Sequence, residues 1–184
     1  TLGGNNLARH IENVKSFGVP VVVAINRFIT DTDAEIQAVK DLASENGVKA
    51  IECTHWSNGG KGTTELAEEV VKLAHSGVAS FAPLYPNDMA IWDKIKTVAT
   101  RLYRADDIIA DKKIRAQIRK IEDDGYAHFP ICIAKTQYSF STDPNLKGAP
   151  NNHVMAIREV RLSAGAGFIV VVCGDIMTLS LIHI

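Results

Sequence analysis

No sign of charge dominates this chain. Its 20 Lys and Arg face 21 Asp and Glu, a formal net charge of -1, so no net field draws it onto DNA, RNA or an anionic membrane, and no nucleic-acid partner is expected. Long apolar runs are missing as well. The longest, residues 167–173 reading GFIVVVC, falls far short of the roughly 20 residues that cross a bilayer, and no basic-then-apolar signal segment opens the chain; no membrane association is expected. Six histidines show no H-E-x-x-H or paired ligand spacing, so no metal site is expected. No serine sits in a G-x-S-x-G elbow. Cysteine is scarce: Cys53, Cys132 and Cys173 lie far apart, each in or at the end of an apolar strand-like run. That pattern suits three buried thiols in a reducing, cytoplasmic setting better than a disulfide frame.

What is present is an ordinary globular composition, 46% hydrophobic over 184 residues, enough for one domain or part of a larger one. The first residue is Thr1 and the last six read LSLIHI, so a piece of a longer protein is expected. Asn5 or Asn6 can cap a helix to about Phe17, with Leu7, His10, Ile11 and Val14 on one face and Gly18 as the stop. Residues 19–25, VPVVVAI, are continuous and β-branched, as in a strand buried on both faces of a parallel sheet. Thr32 and Glu35 make a capping box opening a helix to about Asn46, which Gly47 closes. A strand follows over 48–53, then a glycine-rich loop, and a third helix from Thr63 or Thr64 to about His75. This alternation predicts an α/β layer with a mostly parallel sheet, flanking helices and right-handed crossovers.

Beyond Gly77 the pattern becomes helical and then β-rich. A helix is expected over 88–104, another begins at Asp111 with Ile114, Ile118 and Ile121 in phase, and PICIA at 130–134 reads as a strand. Residues 135–152 are polar, turn-rich and long for a connection, which marks a functional or mobile segment. Residues 154–173 read as two strands around Gly165, Ala166 and Gly167. The expected division is 1–80, 81–178 and a non-native tail at 179–184.

In open α/β sheets ligands bind beyond the carboxyl ends of the strands. Three loops qualify: one from Asn26 to Asp31, one opening on Thr54, His55 and Trp56, and one at Lys135 to Tyr138. The second, THWSNGGKGTTEL, is not a Walker loop. Gly60 and Lys61 match, but His55 stands where the leading Gly belongs and Gly62 where Ser or Thr must hold magnesium. The first resembles the N-K-x-D guanine loop only weakly, with Arg27 for its lysine and Ile29 for its Asp. Phe28 and Trp56 each stand just past a strand end in polar company, either as covers of the sheet end or as two plates for a flat heteroaromatic ligand.

Taken together, NLARHIENVKSFGVPVVVAINRFITDTDAE, HWSNGGKGTTELAEEV, LYPND, FPICIAKTQYSFSTDP and REVRLSAGAGFIVVVCGDIMT resemble formate–tetrahydrofolate ligase, in order from about Asn6 to Thr178. The form AKTQYSFS resembles that of the bacterial monofunctional type. The resemblance implies the C-terminal portion of a P-loop NTPase-like multidomain enzyme that joins formate to tetrahydrofolate with ATP, through formyl phosphate. It implies ATP with magnesium, bound mainly by an earlier part of the protein, tetrahydrofolate and formate as the other substrates, and a homo-oligomer. The fragment alone would then be inactive. On this resemblance Phe28 and Trp56 sandwich the pterin ring. Asn26, Asp31 and Asp33 are candidates for its polar edge, Arg27 for the folate glutamate, and Lys135 and Gln137 for the formyl or phosphate region. No catalytic residue is assigned. After GDIMT the family continues with a Pro-Gly segment where this chain has LSLIHI. A non-catalytic α/β ligand-binding module and a degenerate GTPase-like domain are the alternatives.

Overall fold

The computed structural model describes residues 3–135 and 139–174. The chain forms two compact units, Thr1–Ala82 and Pro83–Ile184.

In the first unit, helix α1 (Gly4–Lys15) leads to strand β1 (Val22–Asn26), helix α2 (Asp33–Glu45) and strand β2 (Lys49–Cys53). The single turn α3 (His55–Asn58) and a 3-10 turn (Gly59–Thr63) then lead into helix α4 (Thr64–His75). β1 and β2 pair in parallel, with Val22 opposite Lys49 and Asn26 opposite Cys53. The α2 capping box forms as the spacing predicts: the Glu35 amide donates to Thr32 Oγ1 at 3.3 Å and the Thr32 amide to Glu35 Oε2 at 2.9 Å.

Three local expectations fail here. α1 begins at Gly4 with no side-chain cap, so Asn5 and Asn6 lie inside the helix; it buries Ile11 and Asn13 and leaves His10 and Val14 exposed. β1 is shorter than 19–25 and only half-buried, with β2 its one partner among the described strands. The glycine-rich stretch is wound into α3 and the 3-10 turn rather than forming a loose loop.

Gly18 closes α1 at φ +74°, and a β-carbon there would sit 2.0 Å from the Ser80 carbonyl oxygen. Only glycine lets residues 80–82 return to the end of α1, where the Ser80 amide donates to Gly18 O at 2.7 Å. Phe17 and Phe81 stack beside it, their ring centres 6.2 Å apart.

In the second unit, α5 (Ile91–Arg101), β3 (Asp107–Ile109), α6 (Lys112–Ile121), a π turn (Glu122–Tyr126) and β4 (Ile131–Ala134) precede β5 (Val154–Ala156), β6 (Glu159–Ser163) and β7 (Phe168–Val172). β3 pairs with β5 in parallel, while β7 stands between β4, parallel to it, and antiparallel β6. The α/β class therefore stands, but the described strands form three small sheets rather than one. Ile91, Ile95 and Ala99 of α5, the three isoleucines of α6, and Val160, Ile169 and Val171 make one buried core.

α5 starts at Ile91, later than the expected 88, because its cap is tertiary: the Ile91 amide donates to Glu122 Oε1 at 2.8 Å. Asp111 caps α6 locally, its Oδ1 accepting from the Ile114 amide at 2.8 Å. Cys53 and Cys173 are buried, but Cys132 is exposed, because it lies on the edge strand β4. Burial pushes the Cys173 thiol up to about 12, so it is an inert core group. Among the described residues, no helix is long and apolar enough to cross a membrane.

Lys94 is fully buried on the inner face of α5. Its ammonium donates to Asn87 O at 2.6 Å, Ala127 O at 2.6 Å and Phe129 O at 3.1 Å, tying the segments before α5 and before β4 to one point. Burial lowers its pKa, while Asp88 and Glu122 raise it.

Candidate functional site

The carboxyl ends of β1 and β2 stand side by side in parallel, so the chain leaves both strands on the same edge. The β-ladder runs one step further, the Arg27 amide donating to Cys53 O at 3.0 Å. The next segment turns back tightly: the Phe28 amide donates to Asp31 Oδ2 at 2.8 Å and the Asp31 amide to Phe28 O at 3.1 Å. Such an Asx-type closure frees the Phe28 and Ile29 side chains to project from the turn. They are 56% and 97% exposed.

After β2, Thr54 organises the second segment. Its amide donates to Gly62 O at 3.0 Å, its carbonyl accepts from the Ser57 and Asn58 amides, and its Oγ1 accepts from Asn58 Nδ2 at 3.0 Å. Trp56 rides on the resulting turn at 78% exposure. Gly62 is required by contact: a β-carbon would lie 2.5 Å from the Thr54 carbonyl carbon and 2.7 Å from the His55 amide nitrogen. Gly62→Ala is therefore expected to spring the α3 turn and move Trp56. A change in the near-ultraviolet circular dichroism of Trp56, with far-ultraviolet helix content intact, is the measurement.

Arg27, Phe28, Ile29, Glu52, Thr54, Trp56 and Ser57 line one open cleft of about 330 Å³, at the small end of ligand-site volumes. The charges at its floor are paired. Arg27 Nη1 lies 2.9 Å from Glu52 Oε1, Arg27 Nη2 lies 2.6 Å from Asp33 Oδ1, and Lys40 Nζ lies 3.6 Å from Glu52 Oε2. The hydrogen bonds to Glu52 and Asp33 raise the Arg27 pKa, and the bond from Arg27 lowers that of Glu52. Because the Glu52 pKa is lowered in the folded state, its pairing stabilises the fold above the ordinary carboxylate value and is lost as pH falls from there through the lowered folded-state value.

Of the residues singled out from the sequence, Phe28, Trp56 and Arg27 line this cleft together. Asn26 ends β1 and is exposed; Asp31 braces the Phe28 turn and Asp33 braces Arg27, and neither lines the cleft. Lys135 belongs to the second unit. It donates to Ser139 O and lies 5.5 Å and 5.3 Å from the ring centres of Tyr103 and Phe140, and burial lowers its pKa. Gln137 and the tail at 179–184 lie outside the described residues.

Glu52, Ile29, Thr54 and Ser57 were not singled out. The usable signal for Glu52 was a carboxylate inside the apolar strand KAIEC, and for Ile29 an aliphatic residue in a polar turn. Among the described residues no group of three or more His, Cys, Asp or Glu stands close enough to hold a metal.

Comparison with known proteins decides the family. The family profile described as formate–tetrahydrofolate ligase matches residues 1–181. The chain belongs to that family. Formate–tetrahydrofolate ligases of Ruegeria pomeroyi, Ruegeria sp. (strain TM1040) and Roseobacter denitrificans are 62%, 63% and 59% identical to it over 177 residues. Each alignment covers 96% of this chain and 32% of the relative, so the chain spans about a third of the length of the ligases it matches. Membership in the ligase family sets aside the GTPase-like alternative.

Proposed function

We propose that this chain supplies the pterin-binding part of an ATP-dependent ligase that joins formate to tetrahydrofolate, giving formyltetrahydrofolate, ADP and phosphate through formyl phosphate. One observation carries the reading. Two exposed aromatic side chains, Phe28 and Trp56, line a single cleft whose floor charges are already paired with one another. Large aromatics left in water at one mouth are characteristic of a binding site rather than of a core, and stacking on such faces contributes about 1 kcal/mol beyond area burial. A paired floor favours a flat ring of low charge over a bare phosphate.

In this reading Phe28 and Trp56 bind the ring. Asn26 offers amide groups to its polar edge, and Asp31 and Asp33 hold the first loop in shape. Arg27 closes the floor, with the folate glutamate as its further candidate partner. Lys135 and Gln137 are assigned to the formyl or phosphate region. The chain contains no G-x-x-x-x-G-K-[ST] loop, so the rest of the ligase holds ATP and its magnesium, and this part alone is inactive. Its three unbridged cysteines suit the cytoplasm.

The test is optical. In the intact ligase, tetrahydrofolate is expected to quench the emission of Trp56. Trp56→Phe, which keeps an aromatic face, should retain binding and lose that component of the quench. A quench that persists undiminished in Trp56→Phe would place the pterin elsewhere.

A further inference from the structure

We infer that Glu52 is the positioning residue of the pterin cleft, the side chain that holds the Phe28 segment in register with the segment carrying Trp56. This rests on the pterin reading above and goes beyond it, because Glu52 need not touch the ring to matter.

The two aromatic plates arrive on different stretches of chain, each beyond the last bond of the β1–β2 ladder, which runs from the Arg27 amide to Cys53 O. Phe28 follows β1, and its own turn is closed by Asp31, three residues away. That closure shapes the turn, while the ladder bond to Cys53 fixes only its backbone start against β2 and leaves its side chains to other contacts. Trp56 follows β2, and its turn is closed by Thr54, Asn58 and Gly62, again all local. The side-chain link from the first segment to the strand bearing the second is the ion pair from Arg27, adjacent to Phe28, to Glu52, four residues before Trp56.

Geometry makes this link stiffer than a surface pair. Glu52 is 25% exposed; one oxygen accepts from Arg27 and the other lies 3.6 Å from the Lys40 ammonium of α2. Arg27 is held at two nitrogens, by Glu52 and by Asp33 at the start of α2. The planar guanidinium is therefore fixed in orientation between β2 and α2. If Glu52 is lost, Arg27 keeps only Asp33, whose side chain is 91% exposed, and exposed pairs hold geometry weakly. Phe28 then remains attached to a turn that can drift away from Trp56. Asp33 and Glu52 also balance Arg27 and Lys40, so removing Glu52 would leave excess positive charge at the cleft floor.

The test is steady-state kinetics of the intact ligase. Glu52→Leu is expected to raise the KM for tetrahydrofolate about tenfold while the KM for ATP stays within about twofold, the pattern of a lost binding contribution rather than general damage. The isosteric Glu52→Gln still accepts from Arg27 at its carbonyl oxygen, disturbs packing least and should show about a threefold rise. Arg27→Leu should be at least as damaging as Glu52→Leu, since it also removes the candidate partner of the folate glutamate, and the double variant should be no worse than Arg27→Leu alone, since both remove one link.

Two results would overturn the inference while leaving the pterin reading intact. One is an unchanged tetrahydrofolate KM in both Glu52 variants when Phe28→Ala and Trp56→Ala raise it; the other is full additivity of the Arg27 and Glu52 effects. If Phe28→Ala and Trp56→Ala also leave that KM unmoved, the pterin reading itself fails.

Discussion

Trp56→Ala in the intact ligase is expected to weaken tetrahydrofolate binding roughly 30-fold, about 2 kcal/mol, through lost stacking and lost apolar contact. ATP affinity should stay within about twofold, because this chain carries no G-x-x-x-x-G-K-[ST] loop. The change should hardly affect folding. Trp56 is 78% exposed, and substitutions at exposed positions outside special features usually move stability by less than about 0.5 kcal/mol. That separation makes the variant informative: binding falls while the melting temperature stays. Titration calorimetry with tetrahydrofolate and with ATP gives both numbers, and unchanged folate affinity would sink the two-plate site.

Lys94→Met should do the reverse, costing stability at a position outside the proposed pterin cleft. Methionine fits the length of the side chain but leaves the carbonyls of Asn87, Ala127 and Phe129 without their donor. Each unsatisfied carbonyl costs about 1–3 kcal/mol, partly offset because no ammonium need then be desolvated. A net loss of about 3 kcal/mol is expected, or roughly 10 °C in melting temperature for a unit of this size.

Protonation follows from the same geometry. A neutral amine has two N–H groups and three carbonyls converge here, so the geometry favours the charged form while burial lowers the pKa. A folded-state pKa below the unfolded value means that the unfolded chain binds more protons in that window. The unsubstituted protein therefore gains stability as pH rises from the folded pKa towards the ordinary lysine value. Lys94→Met should lose that gain along with its melting temperature. A melting temperature unaltered by the substitution would show that water replaces the ammonium.

Elements with local causes were legible in advance. The Thr32–Glu35 capping box, the Asp111 cap and the isoleucine spacing of α6 each lie within one or two helical turns of chain, and all three form. The β6–β7 hairpin around Gly167, which adopts φ +73°, is of the same kind. Apart from the start of α1, the errors have a different cause. α5 begins where Glu122, 31 residues later, supplies its cap. Cys132 is exposed on β4, which pairs with β7 alone among the described strands, and the three-residue pairing of β3 with β5 has too few residues to show a period.

The candidate site divides the same way. Phe28 and Trp56 stood out because aromatics follow strand ends in polar company, but their sharing one cleft depended on the parallel register of β1 and β2. Arg27 was singled out as a candidate for the folate glutamate; its commitment to Glu52 and Asp33 is tertiary. The glycine-rich stretch was excluded as a phosphate loop by counting spacing, yet its winding around Thr54 required the contact at Gly62.

By itself, then, the sequence determined the family, the α/β class, the caps of α2 and α6 and the two aromatics that follow the strand ends, since each depends on residue type and short spacing. The tertiary structure alone decided how the segments bearing those aromatics are held. Arg27 and Glu52 are 25 residues apart, and Lys94 and Phe129 are 35 apart. Pairings over such distances exist only once packing has closed the intervening chain, and no local periodicity encodes them.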